Sequence, residues 1–416
     1  MEYSHRYPAD PTQQGAAKLE HHIDIHRQAY NYTLYEYENV DADDIGSAYK
    51  HHYRLPNWKD EFSVFSEVNS KALQRTVTRF YQNLNGLSEQ KQNGRKVGKL
   101  NWKSPREFQS MTYSQSGFKL KNTSGRRATL WLSKIGDIPI RYHREIPDKA
   151  DIKEVTIKKE TTGDWFVSFG LETDESDLPE KPDVDSINVD NSVGVDLGIL
   201  KYIHTSDGTT VDWLGLEDEY ERLRREQRKL SRKDQGSNNY EKHRQTVAKV
   251  KRHIRRKVLD YQHKITTWLV REYDAVFVED SDVKEMLEQS HNARNKQDAA
   301  WRQFITLLEY KAELYGTHVV QVEAAGTTRE CASCGVETAK PIWVRELSCP
   351  SCGFECDRDA NAAMNVLQRG FSELGLEWPE DTPVETALPT DTHSVSAKCV
   401  IETGSPTLNE ATPVAE

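Results

Sequence analysis

The 416-residue chain is polar and acidic, with 36% hydrophobic and 29% charged residues, a mean hydropathy of −0.80 and a formal charge of −10. Its length is sufficient for about two to four domains, each with a core of its own. No apolar run is long enough to cross a bilayer, and the N-terminus has no signal-peptide segment, so we expect a cytoplasmic protein without a membrane partner.

The charge is unevenly distributed along the sequence. Residues 371–416 contain nine Asp/Glu and one Lys, a net charge of −8. Residues 221–271 contain 17 Lys/Arg and five Asp/Glu, a net charge of +12. A local surplus of this size attracts a phosphate backbone whatever the total charge.

The first half of the chain changes from helical to strand periodicity. Residues 11–100 are predicted to be mainly helical, with apolar residues at helical spacing after a capping Asp10 or Thr12. Residues 110–172 alternate with a period of two, and residues 151–172 indicate a hairpin with its turn near Gly163. Residues 173–190 are acidic, contain two prolines and are expected to form a linker.

The second half alternates strands and helices, which favours an α/β sheet domain. It opens with the strand SVGVDLGIL (192–200), in which valines face one side while Gly194 and Asp196 face the other. A basic helical pair is predicted over 216–272, broken near DQGSNN, and a buried strand follows at 274–280. The acidic tail from 371 is Pro/Thr/Glu-rich and is expected to be disordered.

Five of the six cysteines lie within 26 residues. Two CxxCG motifs, CASCG and CPSCG, provide four thiolates at the spacing of a tetrahedral zinc site: Cys331, Cys334, Cys349 and Cys352. Four thiolates leave no open coordination position, so this zinc would be structural. Cys356 and Cys399 have no matching partner, and Cys356 is expected to be a packed thiol.

Three acidic residues in separate elements form a second candidate site. Asp196 lies in the opening strand, Glu279 ends the run AVFV, and Asp359 lies in the first turn of a helix. Carboxylates gathered at one end of a sheet can hold two Mg²⁺ ions about 4 Å apart for phosphodiester hydrolysis. The pattern alone leaves alternatives: Asp280 or Asp282 could replace Glu279, and Asp359 could serve only the helix dipole, with Asp357 as its N-cap.

The basic helices indicate binding of structured RNA or of a heteroduplex through its phosphates. Their excess of bases over acids is too large for pairing within the helices alone. The predicted contact residues are Arg225, Arg228, Lys229, Arg232, Lys233, Lys251, Arg252, Arg255, Arg256, His263 and Lys264.

Over roughly residues 8–370 these motifs, in this order, resemble the TnpB/OrfB family of transposon-encoded RNA-guided nucleases, which are related to type V CRISPR effectors. The similar segments include VGVDLGI, IRRKVLDYQHKITTWLVREYD, VFVED, CASCG…CPSCG, DRDANAAMNV and, upstream, PTQQ and GKLNWKS. The resemblance implies that Asp196, Glu279 and Asp359 are the catalytic acids, which favours Asp359 over Asp357. It also implies that Arg345 contacts nucleic acid.

The resemblance further implies a multidomain α/β and β fold, in which a RuvC-like (RNase H-type) nuclease domain with an inserted zinc ribbon follows a β-barrel wedge domain and a helical recognition lobe. The implied boundaries are 1–10 and 110–172 for the wedge, 11–109 for the lobe, 173–190 for the linker, 191–330 and 357–370 for the nuclease, 331–356 for the ribbon and 371–416 for the tail.

The implied activity is Mg²⁺-dependent, RNA-guided cleavage of DNA, with a guide RNA from the transposon end and target DNA as partners. One alternative is a nuclease-inactive, RNA-guided DNA-binding repressor, which the presence of all three acids disfavours. Another is a transposase acting directly on the element ends. Single-strand transposases of the tyrosine type need a His-x-His metal pair, and none of the 14 histidines is in that pattern.

Overall fold

The computed structural model describes residues 1–40, 46–123, 125–198, 201–280, 295–338, 344–379 and 394–395. The chain divides into an N-terminal unit, residues 1–175 with 236–248, and a C-terminal unit, residues 176–235 with 249–416. Within the described ranges, no helix combines the length and the apolar character that a membrane crossing requires.

The N-terminal unit contains a seven-stranded antiparallel sheet, with the spatial order β2-β6-β7-β1-β5-β4-β3. Its strands are β1 (Glu2–Ala9), β2 (Ser110–Ser114), β3 (Phe118–Lys121), β4 (Arg127–Leu132), β5 (Gly136–Arg141), β6 (Asp151–Lys159) and β7 (Trp165–Glu172). The predicted hairpin is β6 and β7, and Gly163 has a φ of +92° in its turn. Alternate residues of β7 are all buried in the core, and these are Trp165, Val167, Phe169 and Leu171.

The helices of this unit are α1 (Gln13–Asn39), α2 (Ala48–His52), α3 (Leu55–Glu61) and α4 (Ser70–Gln92), with a 3₁₀ turn at Ser63–Ser66. Thr12, one of the two predicted caps, begins α1: its Oγ1 accepts the Gly15 N–H at 3.1 Å. The side chains of α1 and α4 meet in the core, where the Tyr30 and Phe80 rings pack edge to face at 5.6 Å.

The C-terminal unit contains a sheet with the order β12-β11-β8-β9-β10-β15 and a separate hairpin of β13 with β14. The strands are β8 (Ser192–Asp196), β9 (Ile203–Thr205), β10 (Thr210–Val211), β11 (Ala275–Asp280), β12 (His318–Glu323), β13 (Glu346–Ser348), β14 (Glu355–Asp357) and β15 (Ser394–Val395). The remaining helices are α5 (Glu217–Ser231), α6 (Asn238–Glu272), α7 (Asn295–Tyr315) and α8 (Arg358–Glu373).

Glycine allows α8 to lie directly against the sheet. A Cβ at Gly194 of β8 would stand 2.1 Å from the carbonyl oxygen of Ala363, and one at Gly370 would stand 2.1 Å from the Phe277 ring. Neither position can accept a side chain without separating the helix from the strands. Gly194, two residues before Asp196, therefore makes room for the backbone of α8.

Two predicted boundaries differ from the structure. The tail was placed from residue 371, but α8 continues to Glu373, and Phe371 is buried against Phe277 and Trp378. The predicted linker contains short 3₁₀ turns, and its Ile187 is buried in the same cluster. In both places, apolar side chains belong to the core although the amino-acid composition of the surrounding segment predicts a linker or a tail. Residues 380–393 and 396–416 of the predicted tail lie outside the described residues.

Candidate metal centres and nucleic-acid interface

Asp196 and Glu279 lie at the carboxyl ends of two neighbouring parallel strands. β8 and β11 pair in parallel with Val195 opposite Val278, so the next residue of each strand is one of the acids. Two positions earlier, Gly194 and Phe277 both contact α8. Because side chains alternate between the faces of a strand, the two carboxylates emerge on the α8 side of the sheet.

Asp359 brings the third carboxylate to this edge from the first turn of α8. Asp357 is the N-cap, and its Oδ1 accepts the Asp359 N–H at 2.8 Å. The Asp359 side chain is buried. A Cβ at Gly198 would lie 3.7 Å from Oδ2 of Asp359 and 3.8 Å from Oδ2 of Asp196, so both oxygens face the same small space. The two aspartates of the motif thus have different structural roles.

Burial and like charge make this edge electrostatically unusual. Burial raises the pKa of Asp196 well above its ordinary value, and the neighbouring carboxylates of Glu279 and Asp359 raise it further. Arg358 and Arg345 act in the opposite direction. Arg345 forms an ion pair with Asp359 Oδ2, and the Arg358 Nη2 lies 3.6 Å from its Oδ1. Arg345, predicted to contact nucleic acid, therefore lies at the acidic cluster.

Buried polar groups connect the acids to the cysteine motifs. The Thr327 Oγ1 donates a hydrogen bond of 2.5 Å to Glu279 Oε1. The Asn361 Nδ2 donates to the Thr327 carbonyl at 3.3 Å, and its Oδ1 accepts the Ala332 N–H at 2.8 Å. Neither Thr327 nor Asn361 was predicted from the sequence. The signal available was a pair of asparagines, Asn361 and Asn365, spaced by one turn on the apolar face of α8.

The four predicted zinc ligands do come together. The Sγ atoms of Cys331, Cys334, Cys349 and Cys352 lie within 4.8 Å of one another. The Cys331–Cys352 and Cys334–Cys349 sulfur distances are 3.7 and 3.5 Å. A tetrahedral zinc with Zn–S bonds of about 2.3 Å places its sulfurs about 3.8 Å apart. The quartet therefore fits Zn²⁺ in both chemistry and size.

The two cysteine motifs share one backbone arrangement. Gly335 N–H donates to the Cys331 carbonyl at 2.8 Å, and Gly353 N–H donates to the Cys349 carbonyl at 3.0 Å. Both glycines have a positive φ, 73° and 78°, which favours glycine at these turns. Cys356 lies outside the quartet, and its half-buried side chain packs with Leu347 and Phe354.

The three carboxylates do not form a comparably tight group within the described part of the chain. Like charges repel in a buried setting, and the cations of Arg345 and Arg358 lie beside Asp359. The donor set nevertheless suits Mg²⁺, which prefers oxygen ligands and retains several waters.

The basic pair of helices is present and its cations are largely accessible. Glu219 near the start of α5 binds Lys257 in the second half of α6, so the helices lie side by side in opposite directions. The predicted residues that are exposed are Arg225, Arg228, Lys229, Arg232, Lys251, Arg255 and Arg256. Those that are half-buried are Lys233, Arg252, His263 and Lys264.

Some of these cations are already engaged with acids. Lys229 binds Glu226 at 2.9 Å, and Lys264 binds Asp260 at 2.9 Å. Surface pairs of this kind contribute little free energy and can exchange for a phosphate.

Comparison with known proteins gives matches along most of the chain. Residues 177–290 match the OrfB_IS605 family model, described as "Probable transposase", and residues 301–366 match the "Cas12f1-like, TNB domain" model. A "Putative RNA-guided DNA endonuclease" from Streptomyces pristinaespiralis is 31% identical over 380 residues, covering 88% of this chain and 89% of the relative. The chain belongs to the TnpB/OrfB family.

Two further similarities are consistent with that membership. "Putative RNA-guided DNA endonuclease InsQ" from Escherichia coli strain K12 is 29% identical over 276 residues, covering 62% of this chain and 65% of the relative. The Cas12f1 chain of a Cas12f1–sgRNA–target DNA complex superposes with a TM-score of 0.54 at 13% identity, covering 85% and 81% of the two chains. This likeness confirms the predicted fold class of this TnpB/OrfB member.

Proposed function

We propose that this protein is a transposon-associated, RNA-guided DNA endonuclease that cleaves DNA by Mg²⁺-dependent phosphodiester hydrolysis. The observation that carries the proposal is the convergence of Asp196, Glu279 and Asp359 on one edge of a sheet. Their arrival from two strands and a helix is difficult to explain as surface charge, because two of them are buried. The names of its relatives point to the same activity.

In this proposal, Asp196, Glu279 and Asp359 would hold two Mg²⁺ ions, whose contribution would be the activation of a water and the stabilisation of the leaving oxygen. Asp196 and Glu279 present oxygens from rigid strand ends, and Asp359 does so from a helix capped by Asp357. Thr327 holds Glu279 in orientation. Arg345, at 34% side-chain exposure beside Asp359, can leave its carboxylate partner and bind a phosphate of the DNA strand.

We assign the guide RNA to the exposed cations of α5 and α6. Contacts to phosphates give affinity without sequence, so base pairing between guide and target would select the DNA. The wedge (1–10 and 110–172) and the helical lobe (11–109) would detect a short duplex motif flanking the target. A structural Zn²⁺ in the cysteine quartet would stabilise the ribbon that carries Ala332 and Arg345.

The test is cleavage by Asp196→Ala in complex with the element's own RNA. We expect loss of cleavage by at least about three orders of magnitude, with guide RNA affinity and the melting temperature retained. Asp280→Ala is the matched control, because Asp280 is the exposed acid next to Glu279 on the same strand. It should cleave like the parent protein.

Two results would contradict the assignment. Cleavage retained by Asp196→Ala would remove these acids from the chemistry. A parent complex that binds target DNA but cleaves it equally little with Mg²⁺ or with EDTA would instead identify an RNA-guided DNA-binding repressor.

A further inference from the structure

The N-terminal unit contains a cavity to which the proposed function assigns no role. Its volume is about 250 Å³, below the range of about 300–1,000 Å³ typical of drug-sized ligands. Half of the residues that line it are aromatic, and these are Tyr32, Phe62, Phe65 and Trp102. A small cavity lined in part by aromatic rings suits a single ring system.

The backbone next to Trp102, which lines this cavity, is fixed by hydrogen bonds to Lys103. The Asn31 side chain accepts the Lys103 N–H at 2.7 Å and donates to the Lys103 carbonyl at 3.0 Å. Arg27 donates to the same carbonyl at 3.3 Å. The neighbouring indole is 59% exposed although the backbone beside it is fixed. Tryptophan side chains are usually largely buried, whereas Trp102 is exposed in a defined position.

A second aromatic face continues from the cavity. The Tyr32 ring stacks on Tyr35 with 5.8 Å between centroids and 19° between planes, and Tyr35 is 48% exposed. Phe62 packs edge to face against Tyr32 at 5.3 Å. Exposed, oriented rings of this kind are the platforms on which proteins stack the bases of single strands.

The charge of the adjoining segment favours a nucleic-acid occupant over an apolar peptide. Residues 91–106, which include Trp102 and Lys103, contain six Lys/Arg and no Asp/Glu. Of the acids around this cavity, Asp24 is engaged by Arg27 and by Gln28, and Glu61 accepts a hydrogen bond of 3.5 Å from the Tyr32 hydroxyl. A peptide side chain would use the rings alone, whereas a nucleotide uses both the rings and the cations.

We propose that this cavity binds one unpaired nucleobase, stacked on Trp102, while the basic segment 91–106 contacts the adjoining phosphates. This inference goes beyond the proposed function and requires only that the chain binds a nucleic-acid strand. Stacking uses the flat face that RNA and DNA bases share, so the same cavity can accept a base from either source.

The first test is photocrosslinking of the full chain to short oligonucleotides with a single 5-iodouracil, in matched RNA and DNA versions. Iodouracil attaches to aromatic side chains that it stacks on, and peptide mass spectrometry locates the adduct. An adduct on Trp102, Tyr32, Tyr35 or Phe62 supports the proposal, and the version that gives it identifies the source of the base. Adducts found only outside these residues would overturn it.

The second test separates stacking from charge. Trp102→Ala should weaken oligonucleotide affinity on the order of tenfold with an unchanged salt dependence, and Trp102→Phe should restore most of it. Lys99→Ala should instead reduce the slope of affinity against salt by about 0.7. Tyr53→Ala is the matched control, since this residue is 67% exposed and does not line the cavity.

The outcomes remain separate from those of the cleavage test. If Trp102→Ala binds as tightly as the Tyr53→Ala control, the base cavity is wrong even in a protein that cleaves DNA. If the crosslink forms in a protein that never cleaves, the endonuclease proposal fails and the cavity stands.

Discussion

At the scale of single residues, the buried hydroxyl of Thr327 helps to orient Glu279. Thr327 is buried and donates to Glu279 Oε1, and its backbone carbonyl is held by Asn361. Groups that orient a metal ligand typically change metal affinity or activity by about 10–100-fold when they are removed. Thr327 is therefore a positioning residue in our proposal.

Replacing Thr327 by Val removes this donor and preserves the shape of the side chain. We expect the Mg²⁺ concentration that gives half-maximal cleavage to rise by about tenfold or more, because Glu279 loses its fixed orientation. Thr327→Ser keeps a hydroxyl and should restore the parent value. A Thr327→Val protein with a lower melting temperature but an unchanged Mg²⁺ dependence would show that the hydroxyl acts only on stability.

The individual site residues were predictable to different degrees. The cysteine spacing identified the quartet, because a metal site of this type is encoded locally. Asp196 was visible as an acid in a buried strand, but the family resemblance was needed to select Glu279 over its neighbouring acids and Asp359 over Asp357. Thr327 escaped prediction because its role comes from a contact 48 residues away along the chain.

At the scale of elements, the ribbon and α8 form one connected structure. Asn361 and Asn365 both donate to the Glu330 carbonyl at 2.7 Å, next to Cys331. The backbone N–H of Arg358 at the start of α8 donates to the Arg345 carbonyl at 2.7 Å. Loss of the ribbon would consequently disturb the turn that carries Asp359.

We therefore expect zinc and cleavage to be lost together. Cys334→Ser should reduce bound zinc, measured by elemental mass spectrometry, from about one ion per chain to a small fraction, because three thiolates hold Zn²⁺ less tightly. Cleavage should fall with it. Cys356→Ser is the matched control and should retain both. Full zinc content in Cys334→Ser would argue against this ligand set.

The elements themselves were predicted well where periodicity was strong. The strands around Gly194 and Phe277, the hairpin of β6 with β7 and the break between α5 and α6 all follow local patterns. The end of α8 did not, since composition marks a tail while Phe371 remains in the core. The residues against which Phe371 packs include ones far away in the sequence, so a short sequence segment does not reveal that Phe371 is buried.

At the scale of the whole molecule, buried histidines make the stability of the protein dependent on pH. Burial lowers the pKa of His26 to about 3, and it lowers those of His5 and His22 to about 4. In the unfolded chain these groups titrate near 6.5. All three belong to the N-terminal unit, which therefore should be the acid-sensitive part of the chain.

The sign of this effect follows from which state binds protons first. Below about pH 6.5 the histidines bind protons in the unfolded chain but remain neutral in the folded chain. Their contribution to the free energy of unfolding is therefore fully present above pH 6.5 and is lost as the pH falls towards 3. For His26 alone the loss approaches about 1.4 kcal/mol per pH unit. The first melting transition should shift downward between pH 7 and pH 5 in calorimetry or circular dichroism.

His26→Gln should flatten this dependence, and His22→Gln provides a second variant should the first fold poorly. The matched control is His21→Gln, because His21 lies on the same helix with its side chain 56% exposed and paired with Glu67. It should keep the parent pH profile. If all three variants show the same downward shift as the parent, carboxylates rather than buried histidines limit stability in acid, and the N-terminal unit loses its assigned role as the acid-sensitive part.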